Sequence, residues 1–87
     1  MKAEKQKVMP LLKTARGQID GIIKMVEEDR YCTDISNQLL ATESILHKIN
    51  KEVLRAHMAG CVKEAFESGK EEEKIEELLN LMDKIGR

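Results

Sequence analysis

A chain of 87 residues with 41% hydrophobic, 36% charged and only 2% aromatic residues has the composition of long helices rather than of a sheet. It is read as one domain, residues 1–87, too short to bury more than about 60% of its unfolded surface alone, so assembly is expected. No apolar run approaches the roughly 20 residues that span a bilayer, and Met1-Lys2-Ala3-Glu4-Lys5 leads into no apolar core of a secretion signal. A cytoplasmic protein is expected, with its two cysteines reduced and available as ligands or redox thiols.

The net charge of −1 is unevenly spread. Residues 1–26 carry six cations against two anions, and the remainder is acidic. A basic first helix becomes a nucleic-acid stripe once several copies align it, because phosphate neutralisation grows with the number of nearby cations. The plainer meaning of the same pattern is a solvated amphipathic face.

The first helix is expected from about Glu4 to Glu28, with Val8, Leu11, Leu12, Ala15, Ile19, Ile22, Ile23 and Val26 on one face. Pro10 predicts a kink or a regular start only near Met9. Gly17 and Gly21 point to close approach of a backbone or of DNA.

Glu28 to Tyr31 forms the first turn, and a second helix starts near Cys32 or Thr33, where Thr33 and Asp34 supply capping groups. Cys32 then occupies a helix N-terminus, which favours negative charge and makes a thiol a better ligand. A heptad seam of Cys32, Ile35, Leu39, Thr42, Leu46, Ile49, Val53, Ala56 and Gly60 predicts a long helix packed at a shallow angle on a partner. Ser68-Gly69 ends it. After the charged run Lys70 to Lys74, Ile75, Leu78, Leu79, Leu81, Met82 and Ile85 define a short third helix.

Cys32, His57 and Cys61 are the residues that carry chemistry. At 100° per residue they fall within about 40° of one stripe, yet Cys32 lies roughly 37 Å from His57 along the helix. One chain can hardly bring the three together. A second copy running antiparallel places Cys32 of one beside His57 and Cys61 of the other, with the two-fold axis near Ile45 and Leu46.

Two thiolates and an imidazole are a soft, three-coordinate set that suits Cu(I); Zn(II) would take a water as fourth ligand. His47 lies off this stripe by about 60° and is read as structural.

The runs Arg16-Gly17-Gln18-Ile19-Asp20-Gly21, Asp29-Arg30-Tyr31-Cys32-Thr33-Asp34-Ile35 and His57-Met58-Ala59-Gly60-Cys61 resemble the copper-sensing operon repressor (CsoR) family of bacterial metal-sensing transcriptional repressors. The resemblance implies an all-α fold with a long central helix and an antiparallel dimer assembled into a disc-shaped D2 tetramer. It implies Cu(I) held between subunits by Cys32, His57 and Cys61, with release of double-stranded operator DNA as the readout. Tyr31 and Glu77 match a tyrosine and a glutamate that stand behind the histidine in that family. A ligating imidazole commonly donates its other N–H to such an acceptor.

DNA contacts carry over to Lys13 and Arg16, although many relatives have a denser arginine cluster there than Leu11-Leu12-Lys13-Thr14-Ala15-Arg16. Lys48, Lys51 and Arg55 are added from the second helix. A copper chaperone is a candidate partner.

The nickel and cobalt sensors of the family use an N-terminal histidine and a histidine in place of the last cysteine, and this chain has neither. Persulfide sensors keep both cysteines and lack the histidine, so a reactive-sulfur repressor using Cys32 and Cys61 is the alternative. A Cys-His enzyme lacks evident oxyanion donors in so short a helical chain, and no catalytic residue is assigned. A plain oligomerisation module would need no cysteine.

Overall fold

The computed structural model describes residues 1–85, and among them there are three helices and no strand: α1 Lys5–Glu27, α2 Cys32–Ser68 and α3 Glu71–Ile85. α2 is the spine. α1 folds back along its first two thirds and α3 along its last third, and α1 and α3 do not touch.

α1 buries Val8, Ala15 and Ile22, with Leu11, Gln18 and Met25 half-buried between them, a spacing of three and four throughout. Against this stripe α2 sets Thr42 and Ile49, flanked by Ile45, Val53 and Ala56. Ala3, ahead of α1, closes the same core. The one buried polar side chain among the described residues is partnered: the Thr42 hydroxyl donates to Gln18 Oε1 at 2.8 Å and also lies 3.1 Å from the Gln38 carbonyl.

The sequence reading put eight apolar residues on one face of the first helix, and the structure divides them. Val8, Ala15 and Ile22 are buried and Leu11 half-buried, whereas Leu12, Ile19, Ile23 and Val26 lie on average about 50° further round the helix and remain exposed. The seam of α2 divides too. Its two rows lie about 50° apart round the helix, and the row of Thr42, Ile49 and Ala56 faces α1 while the row of Leu39 and Leu46 stays uncovered.

Two further expectations are corrected and one is narrowed. Pro10 lies inside α1, which starts before it at Lys5, so of the two expectations there the late start near Met9 is ruled out. Pro10 has no N–H to donate, and the first turn is anchored by the Glu4 carbonyl, which accepts from Lys7 and Val8, and by buried Ala3 and Val8. The N-cap of α2 is Tyr31, not Thr33, and no side chain caps it. Asp34 instead stands in the first turn, where its charge suits the helix dipole. The charged run before the third helix is its first turn: Glu71, Glu72 and Glu73 favour the positive helix start rather than a linker.

α2 stops at Gly69, which takes φ 75°. Its N–H donates to the Ala65 carbonyl, and Lys70 N–H reaches the same oxygen at 3.0 Å. Gly69→Ala should lower stability by about 1 kcal/mol, read as a fall in thermal midpoint, with no change in helix content below the transition.

The result is a slab of 57 × 27 × 13 Å with a radius of gyration of 17.5 Å, where a compact chain of this length has about 12 Å. It exposes 6826 Å², against about 5,200 Å² for a compact monomer of its size. Domains bury their apolar faces between two layers. This chain supplies only one.

Candidate metal centre on an uncovered helical face

In an antiparallel helix pair, stripes displaced in the same rotational sense from each buried stripe face the same side. Here that side carries Leu12, Ile19, Ile23 and Val26 from α1 and Leu39 and Leu46 from α2, with exposures of 41 to 56%. Cys32, at the start of α2, lies on the same stripe as Leu39 and Leu46 and is exposed. His57, half-buried, continues the stripe toward the other end. One apolar face therefore holds a thiol at one end and an imidazole with a second thiol at the other.

At the far end the geometry is specific. Cys61 Sγ lies 3.2 Å from His57 Nε2 and 3.9 Å from Nδ1, the expected neighbourhood of residues four apart on a helix. α3 brings Glu77 to the same place, with Oε1 3.5 Å from His57 Nε2. Lys74 donates to Glu77 Oε2 at 3.2 Å, and this ammonium, followed by His57, holds the Glu77 carboxyl below its ordinary value. Lys74 is held above its own ordinary value by Glu77 first and in lesser part by Cys61.

Cys61 is only 6% exposed. Among the described residues no group of three potential ligands converges within one chain. Cys32 and Tyr31 stand together at the opposite end of the slab, and Tyr31 is exposed rather than set against His57. Within a single copy the structure brings together His57, Cys61 and Glu77, and leaves Cys32 and Tyr31 apart from them.

The basic residues form a second feature on the other broad side. Lys48, Lys51 and Arg55, with His47, Glu52 and the α1 residues Lys7 and Leu11, line a groove of about 560 Å³ between the two helices. Arg55 is already partnered, donating to both Glu52 carboxylate oxygens at 2.8 and 3.1 Å, and it holds Glu52 below its ordinary value. Lys13 and Arg16 do not line this groove. Both are exposed; Lys13 points away from α2, and Arg16 sits in the apolar stripe between Leu12 and Ile19.

Lys7 was missed by sequence reasoning, though its place one residue before buried Val8 puts it at the rim of the pair. Lys74 was also missed, though its spacing of three from Glu77 signals the contact.

Residues 4–84 match the metal-sensitive transcriptional repressors, a family of regulators. The chain belongs to that family. Among curated members, the copper-sensing transcriptional repressor CsoR of Mycobacterium ulcerans is 40% identical over 77 residues, covering 88% of this chain and 66% of that protein. The chain thus spans just under two thirds of the length of that relative. CsoR of Bacillus subtilis is 40% identical over 82 residues, covering 94% of this chain and 81% of that protein.

Two solved structures of transcriptional regulators share the fold. The copper-sensing repressor CsoR with Cu(I) from Geobacillus thermodenitrificans superposes with a TM-score of 0.84 at 32% identity, covering 95% of this chain and 86% of that one. The nickel-responsive regulator InrS gives 0.82 at 28% identity, covering 98% and 96%. The family is one of transcriptional repressors, and the fold shared with these structures is all-α. No described helix is long and apolar enough to cross a membrane.

Proposed function

We propose that this metal-sensitive repressor is a Cu(I) sensor that binds double-stranded operator DNA and releases it when Cu(I) is held between two copies. The ligands are Cys32 of one copy and His57 and Cys61 of the other, in a single domain that works in the cytoplasm. The observation that carries the reading is the pairing of half-buried His57 with buried Cys61 at one end of an uncovered apolar face whose other end holds Cys32.

The donor set fits the ion. Two thiolates select a soft metal, and Cu(I) accepts three ligands where zinc wants four. The nickel-responsive relative shows that the fold alone does not choose the metal. In this chain the choice falls to the two sulfurs and His57, and it is His57 beside Cys61 that favours copper over reactive sulfur.

An imidazole that holds a metal through one nitrogen has the other free to donate to a carboxylate. Glu77, 3.5 Å from the ring, is that carboxylate, so occupancy of the site is felt by α3. Tyr31, next to Cys32, enters the same site from the second copy. The apolar face is the seat of that copy, and two such dimers complete the D2 tetramer. The copper chaperone considered from the sequence has no counterpart in the relatives' names and forms no part of the proposal.

On the opposite side, the groove ringed by Lys7, Lys48, Lys51 and Arg55 is the phosphate-binding surface, and Lys13, which points away from α2, extends the basic character of the molecule beyond it, whereas Arg16 lies on the side of the second copy and reaches DNA only from the rim of that face. Because Arg55 is tied to Glu52, Lys48 and Lys51 carry most of the free charge. Lys48→Gln should weaken operator and unrelated DNA alike and reduce the slope of log affinity against log salt by about one per chain in contact. Fluorescence anisotropy over a salt series checks this. Anaerobic copper titration with X-ray absorption tests the metal reading itself, with two sulfur neighbours and one nitrogen expected.

A further inference from the structure

α3 carries a row of half-buried residues, and one of them is out of character. Glu71, Lys74, Leu78, Leu81 and Ile85 follow one another at three and four, so Lys74 stands where the spacing calls for an apolar side chain. Glu71, the other charged member, sits in the first turn and suits the helix dipole there. Lys74 has no such reason. A lysine in an apolar row keeps its stem on the apolar surface and its charge at the edge, and here the ammonium donates to Glu77 Oε2 at 3.2 Å, one turn further along α3.

The pair does little for stability. The Lys74 and Glu77 side chains are 36% and 43% exposed, and an ion pair so open to water contributes less than the apolar residue the row could hold. What the pair does is fix a direction. Glu77 is approached through both oxygens, Oε2 by Lys74 and Oε1 by the ring of His57, 3.5 Å from Nε2. A carboxylate held through one oxygen only is free to swing into solvent, and a metal-bound imidazole relies on an acceptor already in place behind it.

We propose that Lys74 is a positioning residue of the copper response: its ammonium keeps the Glu77 carboxylate aimed at His57, so that α3 is tied to the site when Cu(I) is held there. The proposal rests on the Cu(I) reading above. Lys74 does not line the Lys48 groove, so it acts on DNA through Glu77 and α3.

The test compares wild type, Lys74→Met, Lys74→Arg, Glu77→Ala and the double variant Lys74→Met, Glu77→Ala. Methionine suits both the row and a helix, so Lys74→Met should melt no lower than wild type, which sets the lysine's role apart from structural support. In fluorescence anisotropy the copper-driven drop in DNA affinity should shrink by about two- to fivefold in Lys74→Met, the scale of one partly exposed charge pair, and keep its wild-type size in Lys74→Arg. In the Glu77→Ala background Lys74→Met should change nothing further. Equal drops in wild type and Lys74→Met overturn the proposal. A wild type whose DNA affinity ignores Cu(I) sinks the copper reading instead. Lys74 is then judged without metal, by nitrogen NMR shifts of the neutral His57 ring, which report how often Nε2 carries the proton. Lys74→Met should move that share toward its value in Glu77→Ala and Lys74→Arg should leave it in place, and a share unchanged in Lys74→Met overturns the role given to Lys74.

Discussion

In operator-binding assays, Cys61→Ser should hold its DNA at Cu(I) concentrations that release the wild-type protein. The serine hydroxyl keeps the size of the thiol and removes the soft donor that Cu(I) selects, leaving His57 of one copy and Cys32 of the other as a two-ligand remnant. Regulatory coupling between a metal and DNA is typically about 1 to 3 kcal/mol, so the wild-type affinity should fall roughly 5- to 150-fold on copper addition. In Cys61→Ser that drop should vanish. DNA affinity without copper should remain as in wild type, because Cys61 lies at the metal end of α2 and does not line the Lys48 groove. A variant that still lets go of DNA on copper addition would show that the metal acts elsewhere. His57→Ala should behave the same way and, since both thiols remain, separates copper sensing from sulfur sensing.

Leu46→Asp should break the assembly. Leu46 is 44% exposed in the single chain, beside Leu39 and in line with Cys32 and His57, on the face that has no second layer. The stripe's symmetry places it near the two-fold axis of an antiparallel pair, so both copies would bring a carboxylate to the same desolvated spot. An unpaired charge buried there costs roughly 3 kcal/mol or more, enough to weaken association over about a hundredfold. Sedimentation should show monomers, with copper uptake lost even though all three ligands are intact. Ser44→Asp, on the opposite side of the same turn of α2, should sediment as wild type. A Leu46→Asp protein that remains assembled would move the interface off this face.

The sequence carried the long helix in full, because Leu39, Thr42, Leu46 and Ile49 repeat at three and four and no proline or glycine interrupts them before Gly60. It did not say which apolar residues of α1 face α2 and which face a second copy. Leu11 and Leu12 are equally apolar; only the direction in which the chain folds back at Asp29 and Arg30 assigns one inward and one outward.

The metal end was half legible. His57 and Cys61 are four apart, and helical geometry alone puts them in contact. Glu77 became readable only through a family pattern, since its approach depends on the turn at Gly69 returning α3 onto α2. Lys2 was not legible at all: its contact with Glu64 spans 62 positions, and no local spacing encodes it. The expected cap at Thr33 failed because Tyr31 already begins the turn, its carbonyl accepting from Asp34 and Ile35.

The central claim, that two copies share each site, is tested most directly by mixing two defective proteins. Cys32→Ser lacks the first ligand, and a His57→Ala, Cys61→Ser double variant lacks the other two, so neither should bind Cu(I) tightly alone. Unfolded together and refolded in equal amounts, half of the pairs should be mixed, and each mixed pair contains one complete site. Copper uptake should then rise to about one ion per four chains. A mixture that binds no more copper than its separate components would contradict a site built across two copies.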